Sequence, residues 1–370
     1  MKQTFNWKLP ILLMLAIISL IAGMFGGLHR MGMILPQTLN HLAIDHGQLM
    51  VGGFLGTLIT LERAVAIERK WGYAAPVLAG LASIFLWSGV SLYYGMLLLI
   101  LSSLVLIGMY IYILTVQPSL HSVVMLVGGI LWTTGNILWI QMIPFAFIAN
   151  FWAGFLVLTI VGERIELSRM ILQEKNPRIL ILIITAVYAI GLFLTLIDLF
   201  TGVYIFAISL IAMAFWLLKY DMARITIKTS GLPQYIAVCL ISGYFWLAAS
   251  GIFSILYLYI PIHLMYDAML HSIFLGFVFS MIFAHAPVIF TSIIGIEIGY
   301  KPSFYSHYLL LHISLIIRIL GDLLERSDIR LLGGILNVIA ILLFLFNTIY
   351  AIIHSLRAVS KERRNAMEHA

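Results

Sequence analysis

Residues 94–116 read YGMLLLILSSLVLIGMYIYILTV, a stretch that contains no charged side chain. A helix needs about 20 mainly apolar residues to cross a bilayer, so this stretch predicts a membrane-spanning helix. The same pattern recurs along the chain, and it predicts twelve spans at residues 9–28, 42–62, 74–91, 94–116, 121–141, 144–163, 178–198, 202–219, 232–253, 263–289, 303–320 and 330–355. We therefore expect an all-α polytopic membrane protein that forms a single membrane domain, 1–370, and contacts the lipid bilayer.

The composition agrees with this prediction. Of the 370 residues, 62% are apolar and 10% are charged, whereas soluble domains are about 45–50% apolar and about 25% charged. Most soluble classes are therefore excluded. The excess of 21 Lys and Arg over 15 Asp and Glu reflects membrane topology rather than nucleic-acid binding.

The basic residues predict which side of the membrane the termini occupy. With twelve spans, seventeen Lys and Arg residues lie on the side of the two termini, and only four lie on the other, namely Arg30, Arg318, Arg326 and Arg330. Basic residues accumulate on the cytoplasmic side of membrane proteins. We expect a bacterial inner-membrane protein with both termini in the cytoplasm.

An internal repeat links every fourth span. Residues 53–63, GFLGTLITLER, align without gaps with residues 154–164, GFLVLTIVGER, and a third Gly-Phe pair occurs at residues 276–277. These segments lie in the second, sixth and tenth spans, which predicts three four-helix units around a pseudo-threefold axis, at 1–116, 117–225 and 226–356. The Glu-Arg pairs that close the first two segments predict ion pairs joining the ends of the second and sixth spans, with a proton entry as the alternative.

Two histidines on repeat-related spans predict a cofactor site. His46 lies about 9 Å outward from the middle of the second span and His271 about 7–8 Å outward from the middle of the tenth, at about 1.5 Å per residue. A bis-histidine haem takes axial nitrogens from two such helices. Nearby glycines would leave room for a flat macrocycle: Gly47, Gly52, Gly53, Gly56 and Gly276. The alternative is that the glycines serve helix packing and that each histidine bonds across helices.

Further polar residues predict supporting roles around these histidines. Asp267 lies four residues before His271 and can orient its ring, and Arg318 can bind an anionic group such as a haem propionate. His41 is a candidate propionate partner or ligand of a second metal, and the alternative is a plain interfacial residue. His285, His307 and His312 are candidates for a proton route or for another cofactor, and His285 and His312 are also candidate metal ligands.

The motifs resemble two known families. HGQLM at residues 46–50 resembles the His-Gly-x-x-Met signature of subunit I of the heme-copper oxidases, in which the histidine ligates the low-spin haem. HSIFLGF at residues 271–277 and GERI at residues 162–165 resemble segments of the NnrS family, haem-containing twelve-span proteins linked to nitric-oxide metabolism. The resemblance implies a haem protein that acts in nitric-oxide or nitrosative-stress handling or in electron transfer, with an electron donor or a gas ligand as its partner.

The chain departs from the oxidases at their dinuclear centre. No histidine occurs from Ser122 to Ile262, so the sixth and seventh spans offer no imidazole for a second metal. The paired His-x-His of the oxidase tenth span is also missing. We therefore do not expect an oxygen-reducing or nitric-oxide-reducing centre of the usual kind.

Two other functions remain open at this stage. The chain can be a proton-coupled secondary transporter that uses intramembrane His, Asp and Glu side chains, although transporter repeats are often inverted and this one is not. A copper-handling protein is the weaker alternative, because only Met265 and Met269 lie one turn apart near a histidine.

Overall fold

The structure, a computed structural model, describes residues 8–34, 36–169, 171, 174–260, 263–294 and 299–368. In that part of the chain, twelve helices are long and apolar enough to cross a membrane. Numbered in chain order, spans one to twelve are Pro10–Arg30, His46–Ile67, Lys70–Ser88, Leu92–Val116, Leu120–Ile140, Phe145–Leu167, Lys175–Leu194, Leu199–Tyr220, Leu232–Tyr259, Met265–Ile289, Phe304–Leu323 and Ser327–Arg357. The predicted all-α polytopic architecture is confirmed, and the described ranges contain no β-strand.

The shortest connections follow from backbone conformation. The third span ends because Gly89 adopts a positive φ of 69° and caps the helix in the left-handed region. The fourth span begins at Leu92, near the predicted break. The third span starts earlier than predicted, because the 3₁₀ turn Lys70–Tyr73 precedes its α-helix Ala74–Ser88.

Two spans are not α-helical throughout. The second span contains the π-helix Leu49–Gly56, and the tenth contains the π-helix Ser272–Phe279. π-helices are rare and usually short, and they often mark functional sites. Neither π-helix is predicted from the sequence.

The chain divides into two compact units. The first comprises Met1–Arg169 and Glu174–Phe206, and the second comprises Met170–Gln173 and Ala207–Ala370. This division does not coincide with the three repeat units, whose pseudo-threefold arrangement stays a prediction.

Polar contacts join neighbouring helices within the first unit. Asn136 of the fifth span donates from Nδ2 to the carbonyl oxygen of Leu99 at 3.2 Å. The same side chain accepts the indole N–H of Trp152 from the sixth span at 3.0 Å. Buried polar groups in apolar surroundings need such partners, so this pair of bonds fixes the fourth, fifth and sixth spans against one another.

Similar contacts join the helices of the second unit. Ser250 of the ninth span donates to the carbonyl oxygen of Met269 on the tenth at 3.1 Å. The eleventh and twelfth spans approach closely at Gly321 and Gly333, where an added Cβ would overlap the backbone of Arg330 and Arg318. Small residues at such crossings let helix backbones pack closely in membranes.

The most buried spans are those that carry the repeat. The second, sixth and tenth spans bury 61%, 72% and 72% of their most apolar window, and no other span exceeds 56%. These are the three spans that carry the Gly-Phe segments, and the equivalence of the three helices stays a prediction.

Candidate functional site

The tenth span carries a row of hydrogen-bonded side chains. Asp267 and His271 lie four residues apart on one α-helix, a spacing that brings side chains together. His271 Nδ1 is 3.2 Å from Asp267 Oδ1 and 3.0 Å from the carbonyl oxygen of Asp267. Arg318, on the eleventh span, donates from Nε and Nη2 to the two carboxylate oxygens of Asp267 at 2.8 and 2.9 Å. The predicted contact between Asp267 and His271 is therefore present.

Arg318 has a protein partner where a haem propionate was predicted. Its side chain is 8% exposed, and its fork-like contact with Asp267 balances the charge of both groups. One turn farther along the same helix, Asp322 is 1% exposed. Neither of its carboxyl oxygens forms a hydrogen bond within the described ranges, and the nearby charged groups are Asp267, Arg318 and Arg330.

His46 is oriented by the backbone of the first span. Its Nδ1 lies 2.6 Å from the carbonyl oxygen of Gly23, so Nδ1 carries the proton and donates it. The ring packs over Gly27, where an added Cβ would lie 2.9 Å from His46 Cε1. Glycine at this position is therefore needed for the close approach of the ring to the first span.

His46 and His271 share one tautomer. Because Nδ1 of each ring donates to an oxygen acceptor, the neutral imidazole keeps its lone pair on Nε2. Metal-ligating histidines usually donate their other ring N–H to a carboxylate or a backbone carbonyl in this way. Both rings are thus held in the form that binds a metal through Nε2.

The Gly-Phe pair of the repeat occupies the same position within each of the two π-helices. Gly53 is the fifth residue of the π-helix Leu49–Gly56, and Gly276 is the fifth residue of Ser272–Phe279. The phenylalanine follows in each case. The Gly-Phe pair was the only sequence signal of this equivalence, and it does not by itself distinguish a π-helix from an α-helix. The sixth span shares the Gly-Phe pair but is α-helical over Phe145–Leu167.

The glycines predicted to leave a bare face for a macrocycle are covered by protein. A Cβ added at any of these five glycines would meet a neighbouring side chain. The pairs are Gly47 with Phe145, Gly52 with Leu99, Gly53 with Ser19, Gly56 with Trp132 and Gly276 with Trp246. That expectation is wrong, because these glycines admit aromatic and aliphatic side chains from adjacent helices.

His41 has a structural role at the end of the third span. Its Nε2 donates to the carbonyl oxygen of Trp87 at 3.1 Å, and its ring lies against Gly89. Asp45, just before the second span, is 6% exposed. Burial raises the pKa of Asp45 to about 6, and the nearby His41 opposes that rise.

His285 and His312 are held in opposite tautomers. His285 Nδ1 donates to the carbonyl oxygen of Met281 at 2.8 Å. His312 Nδ1 instead accepts the indole N–H of Trp246 at 2.8 Å. An indole nitrogen only donates, so the neutral His312 ring carries its proton on Nε2. A protonated nitrogen does not ligate a metal, and this arrangement disfavours His312 as a metal ligand.

His307, a further candidate for the proton route or another cofactor, is buried on the eleventh span. It is 2% exposed and contacts Tyr235 Oη through Nε2 and Asn347 Nδ2 through Nδ1, both at 3.0 Å. Asn347 Nδ2 also donates to the carbonyl oxygen of Ser303, which agrees with its assignment as the amide nitrogen. Because an amide nitrogen donates, Nδ1 of His307 accepts the hydrogen bond from Asn347. Both ring nitrogens are thus used, and a small cavity beside Phe283 borders the ring.

The predicted ion pairs between the second and sixth spans are present. Arg63 Nη2 donates to Glu62 Oε1 at 2.9 Å and to Glu163 Oε1 at 2.8 Å. The Arg63 side chain is 10% exposed, against 34% for Glu62 and 20% for Glu163. The contact with Glu163 crosses between the two helices and joins their ends.

No group of three or more His, Cys, Asp or Glu side chains is placed to hold a metal ion in the part of the chain that the structure describes. The second-metal role predicted for His41, His285 and His312 gains no support from this geometry.

Residues 8–353 match a protein family described as a domain of unknown function, DUF8744. No curated protein matches the chain. The match covers most of the sequence, and the chain therefore belongs to the DUF8744 family.

Proposed function

We propose that this member of the family is a haem-binding membrane protein, and that His46 in the first unit and His271 in the second are each a candidate ligand for haem iron. The observation that carries the proposal is the shared tautomer of the two rings, in which Nδ1 donates to a protein acceptor and Nε2 keeps its lone pair. Each ligand is argued from contacts within its own unit. The π-helix that closely follows each histidine supports a specialised role for both positions.

The histidines suit haem iron in their donor chemistry, whereas the residues around them do not form a cradle for the macrocycle. The imidazoles have the donor chemistry that haem iron takes, and a carboxylate or a carbonyl orients each one. The covered glycines do not supply a flat face, and Arg318 already binds Asp267. We therefore keep each histidine, within its own unit, as a candidate ligand for haem iron and assign no residue to the macrocycle or its propionates.

The surrounding residues would tune this site. When bound, haem would supply an iron that can change oxidation state or bind small gas molecules. Asp267 accepts the Nδ1 proton of His271, which fixes the ring and makes Nε2 a stronger base. Arg318 neutralises Asp267 and keeps the carboxylate in place. His46 has only a neutral carbonyl as its acceptor, so the two ligands would differ in basicity.

The wider role follows from the resemblance found in the sequence. We propose a function in nitric-oxide or nitrosative-stress handling or in electron transfer, in the bacterial inner membrane with both termini cytoplasmic. A haem with two histidine ligands suits electron transfer, and a haem with one leaves a position for nitric oxide. The partner is an electron donor in the first case and a gas ligand in the second.

The test is a visible absorption spectrum, oxidised and reduced, of the full chain purified in detergent from haem-replete cells. We expect a haem spectrum that is lost or changed in coordination in His46→Ala and His271→Ala. His354→Ala is the matched control, because His354 is exposed on the twelfth span. Asp267→Leu should weaken haem binding by about 10–100-fold. Colourless wild-type protein from these cells would refute the proposal.

A second candidate function is a proton-coupled secondary transporter. The observation that favours it is Asp322, a buried carboxyl whose oxygens form no hydrogen bond in the described ranges. Ionisable groups inside membranes often belong to substrate or proton pathways. Substrate-dependent proton uptake into liposomes by a haem-free preparation, lost in Asp322→Asn, would favour this function over haem binding.

A further inference from the structure

A group of basic and aromatic residues lies at one end of the second, third and fourth spans, within the first unit. Arg69 and Lys70 connect the second span to the third, Trp71 begins the third, and Tyr112 lies near the end of the fourth. None of these residues takes part in the proposed haem site or in the ion pairs of Arg63.

Arg69 is held in a fixed position without being neutralised. Its Nε donates to Tyr112 Oη at 2.9 Å, and its guanidinium carbon lies 5.7 Å from the centre of the Tyr112 ring. Within the described part of the chain, no carboxylate lies within ion-pair distance of this guanidinium. The bond uses only Nε, and the two Nη groups together can form a fork-like contact with an anion.

Arg326 provides the contrast on the same protein. It is also exposed, but it binds Asp328 through both Nε and Nη2, at 2.9 and 2.7 Å. Arg326 is therefore neutralised by a carboxylate of the chain, whereas Arg69 bonds a neutral hydroxyl through Nε and forms no ion pair within the described ranges.

The aromatic residues place this group at the level of lipid headgroups. Trp71 is 45% exposed and packs edge-on against Tyr112, with ring centres 6.1 Å apart. Tryptophan and tyrosine at the ends of membrane spans mark the interface between lipid and water. Tyr112 Oη accepts the bond from Arg69, so its own hydroxyl proton remains available to an acceptor.

We propose that Arg69, Lys70 and Tyr112 bind the phosphate group of an anionic phospholipid at this membrane surface. Arg69 provides the paired donors, Lys70 a second positive charge and Tyr112 a neutral donor. Two cations beside one phosphate favour a headgroup of net negative charge. The position at the end of two spans, beside an exposed tryptophan, favours a lipid over a free phosphate ion.

The test is lipid binding by the full chain in detergent, measured by native mass spectrometry during titration with phosphatidylglycerol. Arg69→Gln should raise the dissociation constant about fivefold, the effect of one basic residue near a membrane surface. Arg326→Gln is the matched control and should leave binding unchanged. Arg69→Lys keeps the charge but loses the paired donors of the guanidinium. Its dissociation constant should lie between those of the wild type and Arg69→Gln.

Several outcomes would overturn the proposal. Equal losses in Arg69→Gln and Arg326→Gln, or no loss in either, would mean that the lipid recognises no particular arginine. Wild-type affinity in Arg69→Lys would mean that charge alone suffices. Equal binding of phosphatidylcholine would remove the anionic preference, and displacement of the lipid by the same concentration of inorganic phosphate would identify a soluble-anion site instead.

Discussion

The pair formed by Arg318 and Asp267 should stabilise the second unit strongly, and a double-mutant cycle measures by how much. Both oxygens of Asp267 bind Arg318, at 2.8 and 2.9 Å, and the Arg318 side chain is 8% exposed. Removing one partner of a buried pair costs about 3–5 kcal/mol, because a buried charge is left without compensation. Asp267 is 23% exposed, so the lower end of that range applies. We expect Asp267→Leu to lower the free energy of unfolding by about 3 kcal/mol.

The expected stabilities of the second single variant and of the double variant follow from the same contacts. Arg318→Met should cost less, about 2 kcal/mol, because the Asp267 carboxylate still faces the Nδ1 of His271. The double variant should also lie about 2 kcal/mol below the wild type, because both charges are then gone. The coupling between the residues is then about 3 kcal/mol.

The assay is unfolding of the full chain in mixed micelles with increasing fraction of a denaturing detergent, followed by circular dichroism. Haem plays no part in it. If the effects of the two single variants add to that of the double variant within about 0.5 kcal/mol, the two side chains do not form a pair in the protein and the reasoning fails.

Three further predictions use the same unfolding assay. Glu163→Gln should cost about 1–2 kcal/mol, because it removes the charge that binds Arg63 across two spans at 2.8 Å. Gly26→Ala should cost about 2 kcal/mol or more, because the added methyl overlaps the carbonyl oxygen of Leu42, a backbone atom that cannot move aside. Asp45 has a folded pKa of about 6 against an ordinary 3.8, so its protonated form favours the folded state. This contribution is complete below about pH 4 and is lost as the pH rises through about 6, and Asp45→Asn should flatten the pH dependence of stability across that window.

Each of these variants has a control in the chain. Glu62→Gln tests the more exposed partner of Arg63 and should cost less than Glu163→Gln. Gly108→Ala places its methyl 3.8 Å from the nearest side chain and should fold like the wild type. Asp328→Asn changes an exposed carboxylate and should leave the slope between pH 4 and 6 intact. A control that behaves like its paired variant would contradict the cause assigned to that variant.

The sequence predicts the helices well because membrane spans are specified by local composition. Any window of about 20 apolar residues must form a helix that satisfies its own backbone groups, and all twelve spans were found on that basis. The contact of Asp267 with His271 was also predictable, because residues four positions apart on a helix lie on the same face. The bridge between Arg63 and Glu163 followed from the repeated Glu-Arg pairs.

Contacts between distant segments could not be read in the same way. A glycine such as Gly276 looks identical in sequence whether it faces a cofactor or the ring of Trp246. The tautomer of His312 depends on that same Trp246, which lies on another span and follows no spacing rule. The two π-helices also cannot be predicted from the length of an apolar segment, because they have the composition of an ordinary span.

The π-helix of the second span makes the length of that helix as important as its composition. An α-helix turns by about 100° per residue, whereas a π-helix accommodates an additional residue in each hydrogen-bonded turn. Deleting one residue from Leu49–Gly56 would therefore rotate the far end of the span relative to the near end. His46 could then face Gly23, or Arg63 could face Glu163, but the two contacts would no longer form together. Substitutions within this segment should be tolerated far better than insertions or deletions.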